Sequence, residues 1–321
     1  MANLRDRGQI ILVAAFALAV IFIALALIVN SAIFTENLAS RGETSGSDGA
    51  LSMRAMVEES AGSNLERVNR QGANSYGALE NDMDDSLSEL STQIGRQQAR
   101  NGRLVNVSDI RDTNTGTRIH EDGPNDQLAS SDFTVVTGVS RANPEPSVTE
   151  NGTRAFRITE TDITGTDSSN PFTITATGTS TWSTDIYQKS SGSDTVVVDT
   201  NNGNGDTNTC EVTVDDRTQF EIDITDGTID DQPCSALRRT GSGENFAFAG
   251  GVGDSYAIDF TNPNLVEGQF SMTVNSVSTI NTPGDVTANN ALYSVTVRYG
   301  YSTSDLTYVS DVRVAPGEPD E

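Results

Sequence analysis

Basic side chains are scarce in this chain of 321 residues. Lysine and arginine together number 20 against 45 aspartates and glutamates, the formal net charge is −25, and Lys189 is the single lysine. Nucleic-acid binding needs clustered cations that replace the counterions of the phosphates, so this composition argues against a DNA or RNA partner. Carboxylates keep a surface hydrated, and their mutual repulsion is screened over about 3 Å at 1 M salt. The acidic excess therefore predicts a protein adapted to high salt.

His120 is the one histidine, which limits the catalytic chemistry of the chain. A Ser-His-Asp or Cys-His system would have to use it, yet it lies in Arg118–Asp122, a polar stretch without a nucleophile motif. We expect His120 to be a solvated side chain in a surface turn. Carboxylates are too numerous for any pair to be singled out for acid–base work. The sequence therefore predicts no catalytic residue, no cofactor-binding residue and no metal ligand.

Cysteine is equally scarce, since the chain contains only Cys210 and Cys234. No second cysteine pair and no neighbouring histidine completes a tetrahedral zinc site. A bond between the two thiols would close a loop of about 24 residues. On the chain-entropy model this would stabilise the folded state by roughly 3 kcal/mol. We favour this disulfide, with two separate buried thiols as the alternative, because sequence spacing does not show that the Cβ atoms meet.

Long apolar runs are absent except at the N-terminus. The segment Ile10–Val29 contains no charged residue and is long enough, at about twenty residues, to span a hydrocarbon core of about 30 Å as a helix. We therefore predict a transmembrane helix over residues 9–34. A soluble core helix would show a polar face, and a cleaved secretory signal would be shorter.

The charges around this run predict its orientation. Arg5 and Arg7 precede the run, whereas Glu36 and a strongly acidic remainder follow it. By the positive-inside rule, residues 1–8 are cytoplasmic and the chain beyond the predicted helix lies outside the cell. The predicted location is thus the cell membrane, crossed once, with the lipid bilayer as one partner.

The tripeptide Arg7-Gly8-Gln9 directly before the apolar run resembles the class III signal of type IV pilins and of the pilin-like proteins of tight-adherence secretion systems. The resemblance implies cleavage by a prepilin peptidase between Gly8 and Gln9, and it implies other pilin-like or cell-envelope proteins as partners. The fifth position after that bond is Val13, where many pilins carry an acidic residue.

Two further segments extend the resemblance. Residues Asn30–Asn37 read NSAIFTEN and Val312–Pro319 read VRVAPGEP. With the N-terminal motif and the acidic β-rich remainder, they are similar to haloarchaeal membrane-anchored, pilin-like surface proteins of unknown function. That group implies no established activity.

The remainder of the chain divides into regions that differ in the spacing of their apolar residues. Gly42–Gly49 is rich in glycine and serine and predicts a hinge, and residues 35–103 predict a short helical segment or stalk. Residues 104–314 predict an extracellular antiparallel β-sandwich, and 315–321 a flexible tail. One helical stripe is predicted to pack on the β-domain or on the preceding helix, with a short coiled coil as the alternative. It consists of Met83, Leu87, Leu90 and Ile94.

The β prediction rests on alternation with a period of two. Phe172, Ile174, Ala176, Trp182 and Ile186 fall on one side of an extended run, with threonines and serines on most of the other. Similar runs recur towards the C-terminus, separated by clusters of glycine, asparagine, aspartate and proline. No helical pattern lies between them, which favours an antiparallel sandwich over an α/β fold.

Four short motifs resemble binding or modification sites. Gly250–Ser255 lacks the lysine of a phosphate loop and predicts a turn, and Asp199–Asp206 departs from the EF-hand order and predicts a hairpin loop in preference to a calcium site. Asn106 and Asn151 begin N-glycosylation sequons in the part predicted to be exported.

Three function classes follow from these observations. The first is a membrane-anchored structural or accessory component of the cell surface, pilin-like at its N-terminus and without catalytic activity. The second is an anchored adhesion or ligand-binding ectodomain, and the third is an anchored hydrolase. Cleavage after Gly8 favours the first and an uncleaved N-terminus the second, whereas a β-sandwich accommodates all three.

Overall fold

The structure is a computed structural model that describes most of the chain from residue 47 onwards. The predicted cytoplasmic segment, 1–8, lies outside the described residues, and so does the predicted transmembrane helix, 9–34, except at three positions. The described residues are 47–121, 127–140, 152–165, 168–216, 219–240, 244–275 and 277–318, together with Leu18, Phe22 and Leu25.

Two helices open the main described part of the chain. Helix α1 covers residues 47–71, so its first turn includes the end of the predicted hinge. Helix α2 covers Tyr76–Ala99 and is capped by Ser75. The Ser75 hydroxyl accepts a hydrogen bond from the Ala78 amide at 3.3 Å, which satisfies one of the amides left free in the first turn.

Fifteen strands follow within the described residues. They are β1 (Leu104–Glu121), β2 (Phe133–Ser140), β3 (Thr153–Ile163), β4 (Phe172–Thr177), β5 (Thr181–Gln188), β6 (Thr195–Asn201), β7 (Thr207–Thr213), β8 (Phe220–Asp223), β9 (Thr228–Ile229), β10 (Gln232–Pro233), β11 (Ser255–Thr261), β12 (Val266–Val274), β13 (Thr279–Ile280), β14 (Val286–Ser302) and β15 (Thr307–Val314).

The strands form two antiparallel sheets. The eight-stranded sheet has the order β10-β9-β8-β3-β12-β1-β14-β15, and the seven-stranded sheet has the order β13-β2-β11-β4-β5-β6-β7. Consecutive strands pair along β4 to β7, whereas β12 inserts between β3 and β1, two strands that are distant from it in sequence. This insertion brings residues from three parts of the chain together on one sheet.

Two hydrophobic cores hold the layers together. The inter-sheet core contains Phe156 and Phe260 from the two sheets, both at most 1% exposed. The helix–sheet core joins Leu65 of α1 and Leu87 of α2 to Tyr299 of β14. Strands β1 and β14 contribute to both cores, and three register shifts interrupt their pairing along its length.

Helix α2 covers an edge of the eight-stranded sheet. Only Thr117–His120 of β1 pair with β12, so the N-terminal half of β1 has one edge without a strand partner among the described residues. Ser91 of α2 fills part of that edge, since its hydroxyl accepts a hydrogen bond from the Val107 amide at 3.0 Å and donates one to Asn106 Oδ1 at 3.1 Å. Covering an open edge in this way protects it from pairing with another chain.

The predicted fold class is wrong as a whole, although two antiparallel sheets are present. The helical segment was expected to be short and stalk-like, but α1 and α2 form a layer of the domain with their own core against the sheet. Among the described residues, no helix has both the length and the apolar character needed to cross a membrane. Leu18, Phe22 and Leu25 are helical and 55–61% exposed.

Candidate functional site

A cleft of about 330 Å³ lies between α1 and the strands β1, β3 and β12. We call it the arginine cleft because four arginines and three glutamates line it, giving one excess positive charge in a chain of net charge −25. The charged residues of its lining are Arg70, Arg118, Arg154, Arg157, Glu66, Glu121 and Glu221.

Strand register builds the floor of this cleft. Thr273 of β12 pairs with Arg118 of β1 on one side and with Arg154 of β3 on the other. Ser271, two residues earlier, pairs with His120 and with Arg157 in the same way. Because side chains two residues apart on a strand share a face, two hydroxyls come to lie between basic residues of the neighbouring strands.

Arg154 is fully buried and holds three backbone carbonyls. Its Nε donates to the carbonyl of Tyr293, Nη1 donates to Pro316 at 2.9 Å and Nη2 donates to Leu292 at 3.0 Å. Burial lowers its pKa to about 10, so the guanidinium remains charged at neutral pH. These bonds fix β3 to β14 and to the turn that follows β15, and they occupy three of the five N–H donors of Arg154.

Arg157 connects α1 to the sheet through an ion-pair network. Its Nε lies 2.6 Å from Asp223 Oδ2 and 3.5 Å from Glu221 Oε1, while Nη1 lies 3.5 Å from Glu66 Oε2. Burial alone would lower the arginine pKa, but the hydrogen bond and charge of Asp223, with the two glutamates, raise it above its usual value. Burial raises the pKa of Glu221, and the charge of Arg157 offsets part of that rise.

Arg70 differs from these two arginines. It is exposed near the C-terminal end of α1 and makes no hydrogen bond or ion pair with the described residues. Neutral polar groups of the lining include Thr159, Gln269 and Ser271. The cleft thus combines fixed ion pairs with one guanidinium whose donors remain available and with several neutral polar side chains.

The C-terminal turn closes one side of this region. Residues 315–318 were expected to belong to a flexible tail, but the Gly317 carbonyl accepts a hydrogen bond from the Ala155 amide at 2.6 Å. Glu318 accepts hydrogen bonds from the Tyr293 hydroxyl at 2.9 Å and from Arg313 Nη1 at 2.6 Å. The tail prediction is therefore wrong up to residue 318, and residues 319–321 lie outside the described part.

The two cysteines lie together in the structure. Cys210 on β7 and Cys234, which follows β10, form a disulfide with a Cα–Cα distance of 5.6 Å. Strand β7 is the last strand of the seven-stranded sheet and β10 the first of the eight-stranded sheet. The bond therefore links the two sheets across the inter-sheet core.

His120 does not lie in a solvated turn. It is 3% exposed and belongs to β1, paired with Ser271 and Thr287. The polar appearance of the surrounding sequence was misleading, because this segment is not a turn but the end of β1, which pairs with β12 and β14 on its two sides. Glu121, the next residue, is also 3% exposed.

The modification sites predicted from the sequence have different surroundings. Asn106 is exposed on β1, where its Oδ1 binds Ser91. Asn151 lies outside the described residues, and the threonine of its sequon, Thr153, is buried with its hydroxyl 2.8 Å from that of Tyr256. Gly8 and Gln9, the predicted cleavage site, also lie outside the described residues.

The segment Asp199–Asp206, compared above with a calcium-binding loop, covers the end of β6 and the loop between β6 and β7. Asn202 Oδ1 accepts hydrogen bonds from the amides of Asn204 and Asp206 at 3.0 and 2.9 Å, which closes the turn with a side chain of the loop itself. In the described part of the chain, no group of three or more histidine, cysteine, aspartate or glutamate residues is placed to hold a metal ion.

The arginine cleft was not found by reasoning from the sequence. Its residues come from α1, β1, β3, β8 and β12, and no local motif connects them. The one signal that could have drawn attention to it is the pair Arg154 and Arg157 in a chain with so few basic residues.

Comparison with known proteins gives one similarity. No curated protein and no solved structure matches the chain. The matching family model covers the N-terminal apolar run, both helices, β1 and nearly all of β2. Over residues 4–139, the chain is similar to the family of unknown function DUF7261.

Proposed function

We propose that the protein is a structural or accessory component of the cell surface without catalytic activity. It is held at the cell membrane by the apolar run Ile10–Val29, with its N-terminus on the cytoplasmic side and the domain from residue 47 outside. Its N-terminus is processed like that of a pilin-like protein, after Gly8. Val13 in place of an acidic residue favours an accessory role over that of a major filament subunit.

The observation that carries this proposal is the attachment of α1 to the sheet. Helix α1 follows the apolar run in sequence, and its apolar face lies in the helix–sheet core. Asn69 exchanges two hydrogen bonds with the backbone of Leu292, at 2.9 and 2.8 Å, and Tyr299 donates to the Ala50 carbonyl at 3.0 Å. A force applied to the N-terminal segment is therefore transmitted to the sheet through α1, as an anchored surface subunit requires.

The mature N-terminus tests the pilin-like part of the proposal. Mass spectrometry of the full-length chain, produced in cells that contain a prepilin peptidase, should identify Gln9 as the first residue in the membrane fraction. Gly8→Ala should abolish processing, whereas Gly77→Ala should not, because nothing lies within 4 Å of a Cβ at Gly77. A membrane-bound chain that retains residues 1–8 would contradict the processing, and a chain found in the soluble fraction would contradict the anchoring.

A further inference from the structure

Several charged side chains of the arginine cleft already have hydrogen-bond or ion-pair partners, and this limits what a ligand can bind there. Arg154 donates to three carbonyls, and Arg157 is paired with Asp223, Glu66 and Glu221. Glu66 and Glu221 therefore already have a cationic partner, which they share with Asp223. What the cleft still offers an anionic ligand is a guanidinium that has no partner among the described residues.

Arg70 carries that guanidinium. Its guanidinium is exposed at the rim of the cleft and makes no bond within the described part of the chain. A planar guanidinium presents paired N–H donors that match the two oxygens of a carboxylate. Arg118 lies on the floor of the same cleft, paired in register with Thr273.

Neutral polar groups also line the cleft. Thr159, Gln269 and Ser271 offer hydroxyl and amide groups that both donate and accept hydrogen bonds. Such groups match hydroxyl groups of a ligand. The volume of about 330 Å³ lies at the lower end of the range for small-molecule sites, roughly 300–1,000 Å³.

We propose that the arginine cleft binds a sugar acid, a ligand with one carboxylate that contacts Arg70 and several hydroxyls that contact Thr159, Gln269 and Ser271. Binding involves no chemical step. It does not depend on whether the N-terminus is anchored or processed, because all of these residues belong to the domain from residue 47 onwards.

Calorimetric titration of the full-length chain in a neutral detergent tests this proposal, with D-glucuronate as the probe and with D-glucose and sulfate at the same ionic strength for comparison. Glucuronate should bind more tightly than either. Arg70→Gln should weaken glucuronate binding about tenfold or more, since a charge-assisted hydrogen bond contributes about 1.5–3 kcal/mol. The thermal midpoint should stay unchanged, because Arg70 makes no bond within the described part.

Arg67→Gln is the matched control. Arg67 is also exposed on α1, but it binds Gln71 and Ser86 and does not line the cleft. This variant should bind glucuronate like the unaltered chain. Three results would overturn the proposal: no binding of glucuronate, glucose or sulfate binding as tight as that of glucuronate, or equal effects of the Arg70 and Arg67 substitutions.

Discussion

The two hydrophobic cores are built by different means. In the inter-sheet core, Phe260 contacts the rings of Phe133, Phe156, Phe172 and Phe270, with centroid distances of 5.2–6.1 Å. The contact with Phe156 is stacked and the other three are edge-to-face, and aromatic pairs of both kinds add about 0.5–1.5 kcal/mol per pair to the effect of buried area. A cluster of packed rings thus lies among the aliphatic side chains between the two sheets, and one disulfide adds a covalent link.

The helix–sheet core relies more on directional polar contacts. Its helical members are mostly aliphatic, and buried Asn69 satisfies both its carbonyl and its amide group on Leu292. Arg157 and Tyr299 add further bonds between α1 and the eight-stranded sheet. The comparison indicates that apolar area provides most of the stability between the sheets, whereas hydrogen bonds fix the position of the helices. Four variants test this difference.

Phe260→Ala should have the largest effect. Removing a fully buried ring leaves a cavity at the centre of the aromatic cluster, and such substitutions lower the free energy of unfolding by about 3–5 kcal/mol. Phe133→Ala is the control, because Phe133 is only half-buried and has one of these ring contacts. Chemical denaturation at constant salt measures both. Equal losses in the two variants would show that the cluster is not centred on Phe260.

Loss of the disulfide should rank second. Replacing both Cys210 and Cys234 by alanine should lower the free energy of unfolding by roughly 3 kcal/mol, the value expected for a closed loop of this size. The unaltered chain in the presence of a reductant should show a similar loss. Quantitative thiol labelling of the native, non-reduced protein would contradict the bond itself.

Asn69→Ala should lower the free energy of unfolding less, by about 1–3 kcal/mol, because the buried Leu292 amide loses its partner while the Leu292 carbonyl keeps its hydrogen bond from Arg154. The effect should be local: amide hydrogen exchange should accelerate in α1 and remain slow in β4 to β7. Asn64→Ala, at a half-buried position of the same helix, is the control. Uniform acceleration across both sheets would show that the helix layer is not a separate unit.

Glu221→Gln should have the smallest effect on stability, and that effect should depend on pH. Burial raises the pKa of Glu221 above 4.5, so the folded state binds this proton more tightly than the unfolded state. Its contribution to stability is therefore largest below pH 4.5 and is lost as the pH rises through the raised pKa. The glutamine variant should be slightly more stable at pH 7 and should lack this loss. Glu221 is half-exposed, which keeps the change small.

The matched control for this pH profile is Glu59→Gln on the exposed face of α1. Thermal midpoints measured from pH 4 to pH 7 should change in the same way for this control as for the unaltered chain. A profile for Glu221→Gln that also coincides with that of the unaltered chain would contradict the assigned role of burial.

The strands were predictable because their signal is local. Phe172, Ile174, Ala176, Trp182 and Ile186 are all buried, as the alternation along β4 and β5 predicted. The helical stripe was equally readable, and Met83, Leu87 and Ile94 are buried in the helix–sheet core. In both cases, one face of a single element determines burial without reference to distant residues.

The cleft, the buried histidine and the C-terminal turn could not be predicted because each depends on strand order. His120 is buried only because β12 and β14 flank the end of β1. Arg154 meets Pro316 only because β3 and the turn after β15 come together in the tertiary structure. Alternation along one strand contains no information about its neighbours. Glycine and proline near the terminus predicted a tail, but the backbone there is held by Ala155 and Arg154.

The position of the domain relative to the membrane is the central claim of the proposed function. Protease added to intact cells, followed by peptide mapping, measures it most directly, with a cytoplasmic protein as the control for lysis. The account predicts that peptides from residue 47 to the C-terminus disappear from intact cells while the cytoplasmic control stays whole. Protection of these peptides until the cells are lysed would contradict the account.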